Sequence, residues 1–173
     1  MALIDLDRRL RKVISGGQVG VDRGALVAAL NFGVATGGCA PQGWRTARGS
    51  APELGSLYGL REHVSPLYPP RTEDNVLAGD GTLLIYTDGN SAGTVLTRKL
   101  CWRHKKPLHE VDLAGSVENV ISSVASWIVD NGIEVLNVAG NHERATHHEE
   151  VTALLVTLVL EELDYVGLVK KLV

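Results

Sequence analysis

The sequence predicts an α/β three-layer sandwich built on a mainly parallel sheet. Segments with strand character alternate along the chain with segments whose apolar residues recur at helical spacing. The run from Gly81 to Tyr86 is apolar without interruption and is bounded by turn residues, which is typical of a strand covered on both faces. The chain has 173 residues, of which 45% are hydrophobic, and this suits one domain with a sizeable core.

The first predicted unit is a strand, a tight turn and a helix. Val13 and Ile14 are followed abruptly by Gly16 and Gly17, and then by an apolar helical stripe made of Val21, Ala25, Ala28 and Phe32. A turn without Cβ atoms lets a phosphate approach the backbone, and the positive end of the helix dipole attracts the anion. Gly17→Val is then expected to block binding with little loss of fold. The alternative is a glycine turn that only packs the helix on the strand, because neither G-x-G-x-x-G nor a Walker A loop occurs.

The next stretch predicts two further strands and a helix. Residues 34–39 read as a strand that ends in Gly37 and Gly38. Residues 41–59 show no period and predict a long loop, which is either functional or an ordinary solvated crossover. A short strand is expected near residues 62–64, and a brief helix from Arg71 to Ala78.

The buried strand at residues 81–86 leads into a second turn rich in small and polar residues. Residues 87–94 predict a phosphate-type turn into a helix that ends at His104. We expect Val95, Leu96, Leu100 and Trp102 to lie on the inner face of that helix. The strand at residues 107–112 is interrupted by His109 and Glu110, so it should lie near an edge of the sheet.

Two helices and one strand complete the predicted fold. Ser116 is expected to cap a helix that Gly132 ends, with an inward stripe of Val117, Val120, Ile121, Val124, Trp127 and Ile128. The last strand is expected at residues 133–138. The final helix is expected at residues 146–163, with Val151, Leu154, Leu155 and Leu158 inward.

Glycines follow or end four of the predicted strands, at residues 16–17, 37–38, 89–93 and 140. Because the carboxyl ends of parallel strands lie at one edge of the sheet, these turns are expected to converge there. The pattern predicts a ligand that carries a phosphate or a comparable anion. The arginines that could add positive charge are Arg23, Arg45, Arg48, Arg71 and Arg144.

Composition limits the other classes of function. The formal net charge of −3 argues against a general nucleic-acid or membrane-surface binder. Two cysteines, Cys39 and Cys101, are too few and too far apart in the sequence for a disulfide framework. The sequence shows no export signal and no membrane-spanning segment. We therefore expect a cytoplasmic location. The histidines and acids at residues 142–150 predict a capping box at Thr146 and Glu149 and no direct protein metal site.

Several motifs carry a family resemblance. They are S-G-G-Q-V-G-V-D-R-G-A-L at residues 15–26, T-G-G-C-A-P-Q-G at 36–43, Y-P-P-R-T-E-D-N-V at 68–76, D-G-T-L-L-I at 80–85, S-A-G-T at 91–94 and V-L-N-V-A-G at 135–140. In this order they resemble the molybdenum carrier family, which is similar to the LOG or lysine-decarboxylase-like Rossmann proteins. The resemblance spans residues 13–160.

The resemblance implies a Rossmann-like, doubly wound domain that binds molybdenum cofactor or a nucleotide-derived ligand. The residues of these motifs that it implies for ligand binding are Gly16, Gly17, Gln18, Asp22, Arg23, Gly37, Gly38, Arg71, Thr72, Asn75, Ser91, Gly93, Thr94, Asn137 and Gly140. Asp22 lies in the first turn of the predicted helix, where it could cap amides or accept hydrogen bonds from a ligand.

Two departures bear on the function. LOG enzymes that cleave nucleotides use P-G-G-x-G-T-x-x-E, and Thr97 stands here at the place of that glutamate. After V-L-N-V-A-G the chain continues with Asn141, His142, Glu143 and Arg144 in place of the family's usual P-R-E-S-like loop.

Three functions therefore stay open. A binding or carrier protein is favoured. A nucleotide N-glycosidic hydrolase would need Asp22, Glu73 or Asp88 as its acid, and an interaction subunit would have only a vestigial pocket.

The carboxyl-terminal residues predict association. Tyr165, Val166, Leu168, Val169, Leu172 and Val173 make an apolar terminus, and such segments commonly mark contacts. We expect a homo-oligomer in which this tail packs on its own core or on a partner.

Overall fold

The computed structural model describes residues 9–116, 118–142 and 147–172. It contains eight strands within those ranges: β1 (Lys12–Ser15), β2 (Ala35–Ala40), β3 (Arg45–Thr46), β4 (Gly49–Ser50), β5 (Arg61–Glu62), β6 (Gly81–Tyr86), β7 (Leu108–Asp112) and β8 (Val135–Gly140). Six of them form one sheet in the order β5-β2-β1-β8-β6-β7, and every neighbouring pair in it is parallel. The predicted α/β class with a mainly parallel sheet is confirmed.

The order of the strands shows a doubly wound sheet. From β1 the chain moves outward to β2 and β5, and it then crosses to the other half of the sheet for β6 and β7. Strand β8 returns to the centre and pairs with both β1 and β6. The direction of winding thus changes around β1, β8 and β6, and the carboxyl ends of these neighbours form the crevice where such sheets bind ligands.

Six helices are described: α1 (Val21–Phe32), α2 (Glu53–Ser56), α3 (Tyr68–Ala78), α4 (Ala92–Arg103), α5 (Val120–Asp130) and α6 (His148–Tyr165). Helices α1, α5 and α6 pack together on one face of the sheet, and α3 and α4 pack together on the other. The result is the predicted three-layer arrangement. No helix in the described ranges is both long enough and apolar enough to cross a membrane.

The main core lies between the sheet and the layer of α1, α5 and α6. It contains Val13, Leu83 and Ile85 from the strands, together with Ala25 and Val159 from the helices. Strand β6 is buried along almost its whole length, as its uninterrupted apolar sequence predicts, and β7 lies at the edge. A second cluster, centred on Leu26, Leu54 and Leu60, packs the segment at residues 51–60 against α1.

The prediction that β2 ends at Gly37 and Gly38 is wrong. Both glycines lie inside the strand, where Gly37 is paired with Ile14 and Gly38 with Ser15. A Cβ atom on Gly38 would lie 2.0 Å from the carbonyl oxygen of Ser15, and its φ of +124° favours glycine. This glycine allows close packing of two strands and does not form a turn.

The segment predicted as a long loop at residues 41–59 has local structure. A 3₁₀ turn at Gln42–Trp44 leads into the β3–β4 hairpin, and α2 follows. Leu54 and Tyr58 are buried. Elements of two to four residues are too short to show a period, and this explains why the sequence pattern did not reveal them.

Two helix starts differ from the prediction. Helix α3 begins at Tyr68, three residues earlier than predicted, because proline is tolerated in the first helical turn. Helix α5 begins at Val120, with Asn119 before it in the left-handed conformation, so Ser116 does not cap it. Val117, Arg144 and Thr146 lie outside the described residues, so the predicted capping box at Thr146 does too.

The inward faces of two helices were also predicted incorrectly. Trp102 of α4 is 84% exposed. In α6 only Leu155 of the four predicted inward residues is buried, while Val151, Leu154 and Leu158 face solvent. The buried face consists of His148, Thr152, Leu155, Val156, Val159, Leu160 and Leu163. Both faces of this helix are rich in apolar residues, so the sequence alone did not determine which one packs inward.

The carboxyl-terminal tail packs in part on its own core. Leu168 and Val169 are buried, and the backbone of residues 168–170 exchanges hydrogen bonds with Leu10. Tyr165 and Leu172 are exposed. The structure therefore shows part of the tail packed on its own core. Association of two copies through the exposed residues stays a prediction.

The corrected register of α6 can be tested with two adjacent leucines. Leu155 is 7% exposed and Leu154 is 62% exposed. Leu155→Ala should lower the free energy of unfolding by about 2–5 kcal/mol because it leaves a cavity in the core. Leu154→Ala should change it by less than about 0.5 kcal/mol. Urea denaturation of both variants measures this, and a larger loss for Leu154→Ala would contradict the register.

Candidate ligand-binding site

The candidate site lies where β1, β8 and β6 end side by side. The turn at residues 16–20 follows β1, Asn141 follows β8, and the turn at residues 87–91 follows β6. Helices α1 and α4 begin directly after the first and the third of these segments. Two helix N-termini, each with a positive dipole end, therefore approach the same edge of the sheet.

The side chain of Asn141 organises this edge. Its Oδ1 accepts hydrogen bonds from the backbone amides of Thr87 and Asp88, both at 2.9 Å. Its Nδ2 donates to Ser91 Oγ at 3.0 Å and to Thr94 Oγ1 at 3.2 Å. One buried amide therefore fixes the whole turn between β6 and α4.

The backbone of Asn141 connects the same point to the first helix. Its carbonyl oxygen accepts a hydrogen bond from Val21, the first residue of α1, at 3.3 Å. Both helix N-termini are thus hydrogen-bonded to Asn141. Sequence reasoning noted this residue only as a departure from the family's loop, because its partners are about fifty residues or more away along the chain.

The N-terminus of α4 is the open part of the site. Ser91 caps the helix by accepting the amide of Thr94 at 3.3 Å, and the two hydroxyl oxygens lie 2.8 Å apart. Ala92 and Gly93 are exposed, and a Cβ atom on Gly93 would meet nothing within 4 Å. A ligand can therefore reach the backbone of this first turn without displacing a side chain.

A largely buried ion pair lies at the end of β1. Arg71 of α3 places its Nη1 3.3 Å from Oδ2 of Asp22, with side-chain exposures of 11% and 4%. A Cβ atom on Gly16 would lie 1.3 Å from Arg71 Nη1. Gly16 is therefore required because the guanidinium occupies the space of a side chain.

The ion pair of Asp22 and Arg71 leaves one buried donor atom without a hydrogen-bond partner among the described residues. Burial raises the pKa of Asp22, and the charge of Arg71 and the backbone amides of Gln18 and Gly140 offset this only in part. The Nε atom of Arg71 is buried and has no hydrogen-bond partner within the described part of the chain. A buried donor without a partner is costly, so an acceptor from a ligand would be stabilising here.

Two predicted phosphate-binding glycines have packing roles in the structure. Gly17 has a φ of +73°, and a Cβ atom there would lie 2.7 Å from a methyl group of Leu54. A Cβ atom on Gly140 would lie 1.9 Å from the carbonyl oxygen of Ile85. The expectation that Gly17→Val leaves the fold intact is therefore wrong, since the new side chain would collide with the second core cluster.

Gln18 and Arg23 connect the first turn to the segment at residues 47–58. Gln18 Oε1 accepts the backbone amides of Val19 at 3.0 Å and Ala47 at 2.8 Å. Arg23 contacts Glu53 at 3.3 Å, and its guanidinium lies 5.6 Å from the centroid of the Tyr58 ring. These contacts hold the wall of the site in place.

Three other predicted residues lie away from the open turn. Asn75 exchanges two hydrogen bonds with the backbone of Cys39, at 2.8 and 3.0 Å, and so clamps α3 to β2. Thr72 bonds within its own helix, to the carbonyl of Tyr68. Asn137 is buried in the middle of β8, where its Nδ2 donates to Thr82 Oγ1 at 3.1 Å.

The acids proposed for a hydrolase differ in position. Glu73 lies 2.7 Å from His104, which follows the far end of α4. Asp88 uses its carboxylate to accept the amide of Asn90 at 2.9 Å. Thr97, at the place of the LOG glutamate, is buried and donates to the carbonyl of Gly93 at 2.9 Å.

Several histidines and one cysteine of the described residues have local contacts. Thr87 Oγ1 lies 3.0 Å from His148 Nε2, and His147 lies 3.1 Å from Glu150. Burial raises the pKa of Cys39, whose Sγ is 3.8 Å from Asp74. Within the described ranges, no three His, Cys, Asp or Glu residues are grouped to hold a metal ion.

Comparisons with known proteins agree with this architecture. The model of the circularly permutated YpsA SLOG family matches residues 13–162. The chain also matches the 1.45 Å crystal structure of a protein from Syntrophus aciditrophicus SB that is named "putative molybdenum carrier protein", with a TM-score of 0.82 and 36% sequence identity. That match covers 88% of this chain and 96% of the other. A search of curated proteins found no match.

The family match covers far more than half of the chain, and the related structure is similar over nearly its whole length. The chain belongs to the circularly permutated YpsA SLOG family.

Proposed function

We propose that this protein binds a small phosphate-bearing ligand at the carboxyl edge of its sheet. The observation that carries the proposal is the attachment of two helix N-termini to Asn141, beside the buried guanidinium of Arg71. Backbone amides at a helix start and a charge-assisted donor such as arginine are the groups that bind phosphate in proteins. The exposed first turn of α4 gives the ligand access.

We further propose that the ligand is of the molybdopterin or nucleotide class and that the protein acts as its carrier. The name of the related structure from Syntrophus aciditrophicus supports a link to molybdenum. The phosphate of such a ligand fits the first turn of α4, and the unpartnered Nε of Arg71 offers a further donor. When bound, a molybdenum cofactor would supply redox chemistry, and the role of this chain would be to hold the phosphate end and shield the rest.

Two observations favour binding over N-glycosidic hydrolysis. Thr97 cannot serve as a carboxylate, and its hydroxyl already donates within α4. Asp22 is buried, and its carboxylate is paired with Arg71. A general acid or base must be able to exchange a proton with the reacting atoms.

The phosphate site can be tested at Gly93. Gly93→Leu should cover the first turn of α4 without disturbing the fold, because a Cβ atom there meets no neighbour. Loss of even one hydrogen bond to a charged group costs about 1.5–3 kcal/mol, so affinity should fall by about ten- to hundredfold. Native mass spectrometry of protein purified without denaturant, and calorimetric titration with pyrophosphate and AMP, measure retention and affinity.

Ser126→Leu is the matched control, because it adds the same side chain at an exposed position of α5, in the opposite helix layer. The control should retain ligand as the wild type does. Equal retention by Gly93→Leu, with both variants folded by circular dichroism, would place the ligand elsewhere. A wild type that carries no extra mass and binds neither pyrophosphate nor AMP would contradict the proposal.

The distinction between carrier and hydrolase has its own test. Incubation of the protein with a panel of nucleoside monophosphates should release no free base above the rate seen without protein, as measured by chromatography. Base release that is lost in Asp88→Asn would support the hydrolase instead. Asp88→Asn retains the bond to the Asn90 amide, so it changes charge with little effect on the turn.

A further inference from the structure

A cavity lies on the face of the sheet, beneath α3. It has a volume of about 330 Å³, and its wall includes Lys12, Ile14, Gly38, Gly59, Arg61 and Asn75. This volume is at the lower end of the range for small-molecule sites. Gly37, which the sequence placed at a phosphate turn, is paired with Ile14 of this wall.

The side chain of Lys12 extends from β1 across the neighbouring strand β2. Its Cα is paired with Ala35, yet a Cβ atom on Gly37 would lie 2.8 Å from its Cε and 3.0 Å from its Nζ. The side chain therefore runs two residues along β2 towards the carboxyl edge. Gly37 leaves the space that the ammonium group occupies.

The cavity carries an excess of positive charge. Its wall contains Arg11, Lys12 and Arg61 but one carboxylate, Asp74, in a chain with a formal net charge of −3. Arg61 pairs with Asp74 at 2.6 Å, and Arg11 pairs with Glu134 at 3.0 Å. Within the described residues, the ammonium of Lys12 has no ion-pair partner.

A half-buried lysine without a partner is unusual in a strand at the centre of a parallel sheet. Such strands are normally apolar, and partial burial of a charge costs free energy unless the charge is paired. Positions that break a local rule without an evident gain are expected at functional sites. Ile14, Ala78 and Val135 add apolar side chains to the wall.

We propose that this cavity binds a small organic anion, whose carboxylate or phosphate group pairs with Lys12 and whose carbon chain contacts the apolar wall. This site is separate from the carboxyl-edge site, because Arg71, Gly93 and Asn141 are not part of its wall. The two sites can therefore be occupied or emptied independently.

The test is an amide chemical-shift titration by NMR with two probes, butyrate and butyl phosphate. Either probe should shift the amides of Gly37, Gly38 and Gly59 saturably in the wild type, and comparison of the two identifies the preferred head group. Lys12→Met should weaken that binding at least tenfold. It should also raise the melting temperature, because it removes a half-buried charge and keeps the length of the side chain.

Lys99→Met is the matched control, since Lys99 is exposed on α4 and the change in charge is the same. It should bind both probes as the wild type does. Gly93→Leu should also keep the shifts at this cavity, which separates the inference from the carboxyl-edge proposal. Arg61→Gln provides a second variant, exposed enough to leave the fold intact, and should weaken binding about threefold or more.

The inference is overturned if neither probe shifts these amides saturably in the wild type. Equal affinity in Lys12→Met and wild type would also overturn it. If Lys12→Met does not fold, equal affinity in Arg61→Gln and wild type has the same consequence.

Discussion

The carboxyl edge of the sheet depends on one buried side-chain amide, that of Asn141. An asparagine side chain can accept two hydrogen bonds and donate two, and Asn141 uses both capacities on the turn between β6 and α4. Its own carbonyl receives the first amide of α1. Removing the side chain would leave two amides and two hydroxyl groups short of a partner, so the start of α4 depends on the side chain of Asn141. The start of α1 is bonded to the backbone carbonyl of the same residue.

The glycines of the chain have different physical roles, although they look alike in the sequence. Gly38 and Gly140 let two backbones approach, and a Cβ atom on either would collide with a carbonyl oxygen. Gly16 leaves room for the guanidinium of Arg71. Gly93 alone among these four has open space around it. The proposed phosphate site thus rests on one exposed helix start and one buried arginine, and less on glycine turns than the sequence pattern indicates.

The fold was predictable because its signals are local and periodic. The apolar run of β6, the stripe of α1 and the polar character of edge strand β7 each reflect burial that neighbouring residues share. The face of α6 was not predictable in the same way. Its sequence is apolar on both sides, and its buried face includes His148 and Thr152, which a hydrophobic pattern excludes.

For the candidate ligand-binding site, the sequence predicted the location but not the role of each residue. The turns after β1 and β6 were located correctly, and Asp22, Arg71, Ser91 and Thr94 do lie at that edge. Asn141 was missed because its hydrogen bonds join residues 47 to 54 positions apart, which no local pattern records. Asn75 lies in a family motif, yet its side chain clamps α3 to β2. The motif alone could not distinguish this structural role from ligand binding.

The Asn141 side chain holds the start of α4 at the edge of the sheet. Amide hydrogen exchange of Asn141→Ala, measured by NMR against the wild type, tests this role. Exchange at Thr87 and Asp88 should accelerate at least about tenfold, because each amide loses its acceptor, while exchange at the core amides of Leu83 and Leu84 should change much less. Unchanged protection at Thr87 and Asp88, or an equal loss at all four amides, would contradict it.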